Sequence, residues 1–139
     1  TRCVFRHAKQ GVADSVLMNE LQDKIQNLLQ PEKTTKWNVT CALHLSRQPP
    51  QSTETKELFI FNFDDEDQKC YLMIKDSILE ADRDMAVIID KIRLYQLRQT
   101  ITVTGFQYKA GDFYIRVGAI MLAATAKGVL VEIEYAPCV

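Results

Sequence analysis

Apolar residues recur along this chain with two periods, and each change of period marks a new element. Arg2 to His7 reads as a short strand. Leu17, Leu21, Ile25, Leu28 and Leu29 then fall at helical spacing on one face, with Glu20, Asp23, Lys24 and Gln26 opposite. Asp14 or Ser15 is placed to cap that helix, and Pro31 cannot continue its hydrogen-bond ladder. From Lys36 to Ser46 the period drops to two, with Trp37, Val39, Cys41, Leu43 and Leu45 sharing a face, which predicts a strand. Arg47 to Thr55, with Pro49-Pro50, predicts an exposed loop. Glu57 to Phe63 is apolar on both faces and predicts a strand covered on both sides. Asp64 to Asp67 forms an acidic turn, Cys70 to Ile74 returns as the hairpin partner, and Ser77 to Ala81 adds a short strand.

A second helix is expected to start near Asp82 or Asp84. Its inward stripe is Met85, Ile88, Ile89 and Ile92, continuing to Tyr95 or Gln96. Lys91 and Arg93 lie toward its C-terminus, the favourable end for cations. Arg98 to Phe106 is a further strand. The last stretch, Gln107 to Val139, carries two alternating runs joined by the small-residue connection Ala123 to Gly128, a long β-hairpin. Strand, helix, several strands, helix and three strands describe an α+β domain. They fit a highly curved, predominantly antiparallel sheet or a barrel with flanking helices. No internal repeat interrupts the order.

Composition narrows the function without naming it. A chain of 139 residues, 47% hydrophobic and 25% charged, has the length for one core, so a single domain over 1–139 is expected. A net charge of -1 leaves no basic footprint for direct nucleic-acid binding. No apolar run approaches the roughly 20 residues of a spanning helix. Thr1 to Phe5 has no signal-peptide shape, and without an initiating Met the chain reads as trimmed. Cys3, Cys41, Cys70 and Cys138 stand singly, the pattern of reduced, mostly buried thiols in an intracellular protein.

The sharpest candidate chemistry is the pair Glu132 and Glu134. Two apart on a strand, their side chains leave one face. Such a pair on a barrel wall could hold Mg²⁺ or Mn²⁺, with Arg116 on the preceding strand binding a phosphate. That would make a divalent-metal phosphohydrolase. The simpler reading is a set of cross-strand ion pairs on the solvent face, with Val129, Val131, Ile133 and Tyr135 filling the core. The strands Leu58–Phe63 and Ile101–Thr104 supply almost none of the cations a phosphate tunnel needs, so no catalytic, cofactor-binding or metal-ligating residue is assigned. His7 and His44 stand far apart without zinc spacing, and no glycine motif cradles a nucleotide. Gly111 suits a turn before Asp112, Gly128 a turn with positive φ, and Gly105 a bulge.

Several residues of the last hairpin carry a family signature: Tyr108, Asp112-Phe113, Val117-Gly118, Lys127-Gly128, Val131-Glu132-Ile133-Glu134-Tyr135 and Pro137-Cys138-Val139. In this pattern the chain resembles the Mediator head-module subunit twenty family (the TRF-proximal proteins) of the RNA polymerase II coactivator. Ala136 stands where that family has a glycine. The differing connecting loops point to a fungal member. The resemblance implies a roughly eight-stranded barrel, kinship with tunnel triphosphatase barrels, and a C-terminal family helix absent from this chain. It also implies a non-enzymatic nuclear scaffold without cofactor, small-molecule substrate or membrane. The implied partners are Mediator subunit eighteen in a heterodimer, subunit eight with the rest of the head module, and RNA polymerase II. For the partner interface the strand Phe113 to Met121 is expected, through Phe113, Tyr114, Ile115, Val117 and Met121, because both of its faces carry bulk.

Overall fold

A computed structural model describes residues 1–47 and 54–137. The elements follow the expected order: β1 (Arg2–His7), α1 (Asp14–Lys24), β2 (Lys33–Ser46), β3 (Glu57–Phe63), β4 (Lys69–Ile74), β5 (Ser77–Asp82), α2 (Met85–Ile92), β6 (Tyr95–Ala110), β7 (Phe113–Leu122) and β8 (Thr125–Tyr135). The strands form one sheet in the order β1-β8-β7-β6-β2-β3-β4-β5, and the pairings β1–β8, β2–β3, β3–β4, β4–β5 and β7–β8 are antiparallel. The α+β class therefore holds. Closure into a barrel does not: β1 and β5 end the order without pairing with each other among the described residues. Closure depends on two strands meeting far apart in sequence, which local periodicity does not encode. The expected Pro-Pro loop lies mostly outside the described residues, as does Cys138. The described cysteines are all free, but Cys3 is exposed rather than buried.

The chain divides into two compact units, Thr1–Asn38 with Thr102–Val139, and Val39–Ile101, whose boundaries fall inside β2 and β6. In the first unit α1 lies across β7 and β8. Leu17 and Ile25 meet Tyr108, Val117, Val129 and Val131 there, with Leu21, Ile115 and Ile133 half-buried around them. A π-helical turn, Ile25–Leu29, follows α1 directly. Its wider i→i+5 turn breaks the 3.6-residue phase. Leu28 and Leu29 consequently emerge exposed instead of extending the buried face. Gln30 then adopts the left-handed region at φ 43° and Pro31 ends the segment. Neither Asp14 nor Ser15 caps α1; Ala13 stands at its N-cap without a side-chain bond.

Two glycines of this unit carry specific geometry. A Cβ on Gly105 would lie 1.9 Å from the Val117 carbonyl oxygen, so β6 and β7 approach as only glycine permits. The β7–β8 turn is made by Ala123 and Ala124, not by Gly128. Gly128, at φ 148°, sits instead at a bulge where Ile120 pairs with Gly128 and Met121 with Ala126, leaving Lys127 over. Arg6 donates from Nη2 to the spare Lys127 carbonyl at 2.6 Å.

In the second unit α2 covers one sheet face. Ile89 packs on Leu58, Ile60, Cys70 and Leu72, flanked by half-buried Met85, Ala86 and Tyr95. The opposite face carries the aromatic rows: Phe59 stacks on Phe61 at 6.5 Å, and Phe63 meets Tyr71 edge-on at 5.7 Å. The expected α2 stripe is half right. Met85 and Ile89 face inward, but Ile88 and Ile92 are exposed. Met85, Ile88, Ile89 and Ile92 do share the apolar side of Met85–Ile92, opposite Asp90 and Lys91, but the sheet covers only the part of that side around Met85 and Ile89.

Candidate functional site

The signature hairpin β7–β8 and the edge strand β1 assemble one polar cluster on the face opposite α1. Cross-strand register sets it: Arg116 opposes Glu132, Tyr114 opposes Glu134, and β1 adds Arg2 opposite Glu134. One nitrogen of Arg116, Nη1, donates to Glu132 Oε1 and to Glu134 Oε2, the latter at 2.7 Å. Arg116 Nε donates to Gln107 Oε1 at 2.6 Å. Its guanidinium also lies 5.7 Å from the centre of the Tyr114 ring, within cation–π range. Arg2 reaches both carboxylates from the open side, at 3.5 Å to Glu132 and 3.1 Å to Glu134.

Cross-strand ion pairs are one of the two expectations for these residues, and they form. Their placement differs from it. Arg116 is 7% and Glu132 8% exposed, so the pair is buried rather than on a solvent face. Arg116's hydrogen bond, aided by Arg2 and opposed by desolvation, holds the Glu134 carboxyl below its ordinary range. Two guanidiniums balance two carboxylates, so the cluster has no negative charge left over for a divalent cation, and the guanidinium of Arg116 stands where the phosphohydrolase reading needs the metal. Among the described residues no three His, Cys, Asp or Glu converge as ligands.

The residues expected at a partner interface sit in different settings along β7. Val117 is fully buried, and Ile115 is half-buried against the α1 core. Tyr114 and Met121 are half-buried, and Phe113 is 45% exposed. Phe113 packs against Tyr135, its ring 5.2 Å away and 44% exposed. Alternation along β8 puts Tyr135 in the core. Its register opposite Phe113 at the open end of the hairpin places it on the surface instead. That register is set at the other end of the hairpin, by the turn at Ala123-Ala124 and the bulge at Lys127.

The cluster is charge-compensated, and an exposed aromatic pair lies at the open end of the same hairpin. The family model described as TATA-binding related factor (TRF) of subunit 20 of Mediator complex matches residues 1–139, and the chain belongs to that family. It is 28% identical over 130 residues to Mediator of RNA polymerase II transcription subunit 20b of Arabidopsis thaliana, covering 88% of this chain and 59% of that protein. It is 27% identical to the rat subunit 20 and 26% to the human one, each over 127 residues, 86% of this chain and 60% of the relative. The chain thus spans about three-fifths of the length of these curated relatives. The family is a transcription coregulator and not an enzyme.

Proposed function

We propose that this chain is an interaction module of the Mediator head, acting in the nucleus in RNA polymerase II transcription and pairing directly with Mediator subunit eighteen. The family match along the whole of residues 1–139 is the observation that supports this reading most. The contact we favour runs along β7. Phe113 and Tyr114 offer aromatic surface, Met121 extends it, and Ile115 and Val117 form the packed floor that holds the strand rigid. Tyr135 joins Phe113 as an anchor. Exposed aromatic pairs on a rigid strand suit a hot spot, because they bury large area with little rotamer entropy to lose. Attachment to subunit eight and to the polymerase would follow from that pairing.

Co-expression with subunit eighteen, followed by size-exclusion chromatography with light scattering, tests the pairing. A 1:1 species is expected. Separate elution at both low and moderate salt would sink the assignment. Phe113→Ala with Tyr135→Ala should weaken the pair by about 2 kcal/mol, roughly thirty-fold in Kd. An unchanged affinity would move the contact off β7.

A further inference from the structure

A cleft of about 250 Å³ opens within the first unit, lined by Lys33 and Thr35 of β2, Gln107 and Lys109 of β6, and Tyr114 of β7. The three strands are neighbours in the sheet, in the order β7-β6-β2. Alternation puts Lys33 with Thr35 on one side of β2, and Gln107 with Lys109 on one side of β6. That side is the face of the polar cluster, opposite α1. Tyr114 stands two residues before Arg116 on β7, and Arg116 Nε donates to Gln107 Oε1 at 2.6 Å. Trp37, two residues beyond Thr35, lies over the same face, since a Cβ on Gly118 would come 3.2 Å from its ring. Glu32 N–H donates to the Lys109 carbonyl at 2.8 Å, which ties the start of β2 to the end of β6.

The side chains at this opening offer hydrogens. Arg116 Nε can only donate, so Gln107 turns its amide oxygen to it and keeps its NH2 for the cleft. Tyr114 meets Arg116 through its ring, not its hydroxyl. The Lys33 ammonium and the Thr35 and Tyr114 hydroxyls make no side-chain hydrogen bond or ion pair among the described residues. Lys109 meets Glu32 at 3.9 Å, and that carboxylate is 61% exposed, a surface pair of little strength. Glu132 and Glu134, the acids of the polar cluster, are already held by Arg116 and Arg2. None of the five lining residues is acidic.

The donor types say which anion fits. A carboxylate is planar and is matched best by a guanidinium fork, and no arginine lines the cleft. Lysine ammoniums are point charges. With hydroxyl and amide donors arrayed from three strands they suit a tetrahedral group with several terminal oxygens. A nucleic acid would call for a run of cations and for stacked rings, beyond two lysines and one phenol.

We propose that this cleft binds a phosphate monoester. Lys33 and Lys109 balance its charge, and Thr35, Gln107 and Tyr114 fix its oxygens. The site is a recognition site, in which no bond is made or broken. It shares Tyr114 with the β7 contact but does not depend on subunit eighteen, so one can fail without the other.

The test is the anisotropy of a fluorescein-labelled Gly-Ser peptide carrying one phosphoserine, titrated with the chain. The same peptide without phosphate, or with Glu in place of phosphoserine, should bind about tenfold more weakly. Lys33→Ala should weaken the phosphopeptide about tenfold, the size of one charge-assisted hydrogen bond. Lys36→Ala, an exposed lysine on the other side of β2, should leave it unchanged. Thr35→Val with Tyr114→Phe removes two hydroxyls and no charge, and should weaken binding about fivefold. Should that pair melt early, Thr35→Val alone gives the same test at about twofold. Inorganic phosphate should displace the peptide. Displacement at matched concentrations makes a free phosphate or small ester the ligand; displacement only in large excess makes it a phosphorylated protein segment. No binding, a Glu peptide as tight as the phosphopeptide, or no displacement by phosphate would each overturn the proposal. So would hydroxyl-deleted variants that bind like the parent, or equal losses from Lys33→Ala and Lys36→Ala (attraction to surface charge only).

Discussion

The two units of this molecule use the same device, a helix covering one face of a sheet, and differ in what they place on the other face. Opposite α1 stand Arg116, Glu132 and Glu134, with Arg2 and Gln107 completing their bonds. Opposite α2 stand Phe59, Phe61, Phe63 and Tyr71. The first arrangement is directional, because each charge is satisfied only in one register of β1, β7 and β8. The second is tolerant, because apolar contacts accept small shifts. Exposed aliphatic residues occur in both units, Val4, Val16, Leu28 and Leu29 in the first. Ile78, Leu79, Val87, Ile88, Ile92, Leu94 and Leu97 all lie within the short stretch Ile78–Leu97 of the second unit.

The largest expected effect falls on the directional unit. Arg116→Met leaves Glu132 buried against Glu134 with only the half-exposed Arg2 to balance them. Breaking a buried pair from one side costs about 3 to 5 kcal/mol. The comparison sharpens when all three charges go together. Arg116→Met with Glu132→Leu and Glu134→Leu should recover most of that loss, since desolvation no longer opposes the fold. Urea midpoints of the single and triple variants decide it. A triple variant as unstable as the single one would mean that the cluster contributes net stability rather than register alone.

The next effect is smaller and depends on pH. Glu134 titrates below its ordinary value of 4.5 in the fold, first because of Arg116 and then because of Arg2. A carboxyl depressed in the fold adds stability above its unfolded pKa, and that stability is lost as pH falls through the folded one. Acid unfolding should therefore begin below pH 4.5, the ordinary value, and Glu134→Gln should flatten that part of the curve. At neutral pH the same change should cost about 1.5 to 3 kcal/mol, the range for a hydrogen bond to a charged group. Parallel acid curves for the two proteins would remove Glu134 from the account.

The element order and the signature hairpin are legible in the sequence because their periods are long and clean. β1 and β3 fall where their short apolar runs put them, and β7 and β8 follow from two alternating runs joined by a small-residue connection. Four features are not legible, each for a local reason. The π-turn after α1 shifts a phase that a helical template assumes constant. Arg116 is buried although its residue type belongs at the surface, and only its cross-strand register with Glu132 and Glu134 explains that. Tyr135 continues a core alternation but reaches the open end of the hairpin, beyond the cover of α1. Closure of the sheet rests on pairing between distant strands.

The smallest expected effect tests the tolerant unit. The apolar side of Met85–Ile92 is wider than the strip that meets the sheet. Here only Ile89 is buried, while Ile88 and Ile92 lie about half exposed. If they do no work in the core, Ile88→Lys with Ile92→Lys should change stability by no more than about 0.5 kcal/mol, the usual range for surface positions. Ile89→Ala, one residue along, should cost about 2 to 5 kcal/mol through its cavity. Thermal melts of the two variants measure the contrast directly. A double variant as damaged as Ile89→Ala would show that the outer row is packed after all, and the distinction between a directional unit and a tolerant one would fail at α2. Near-native melting would leave a helix whose flanking aliphatic residues add little to the fold that carries them.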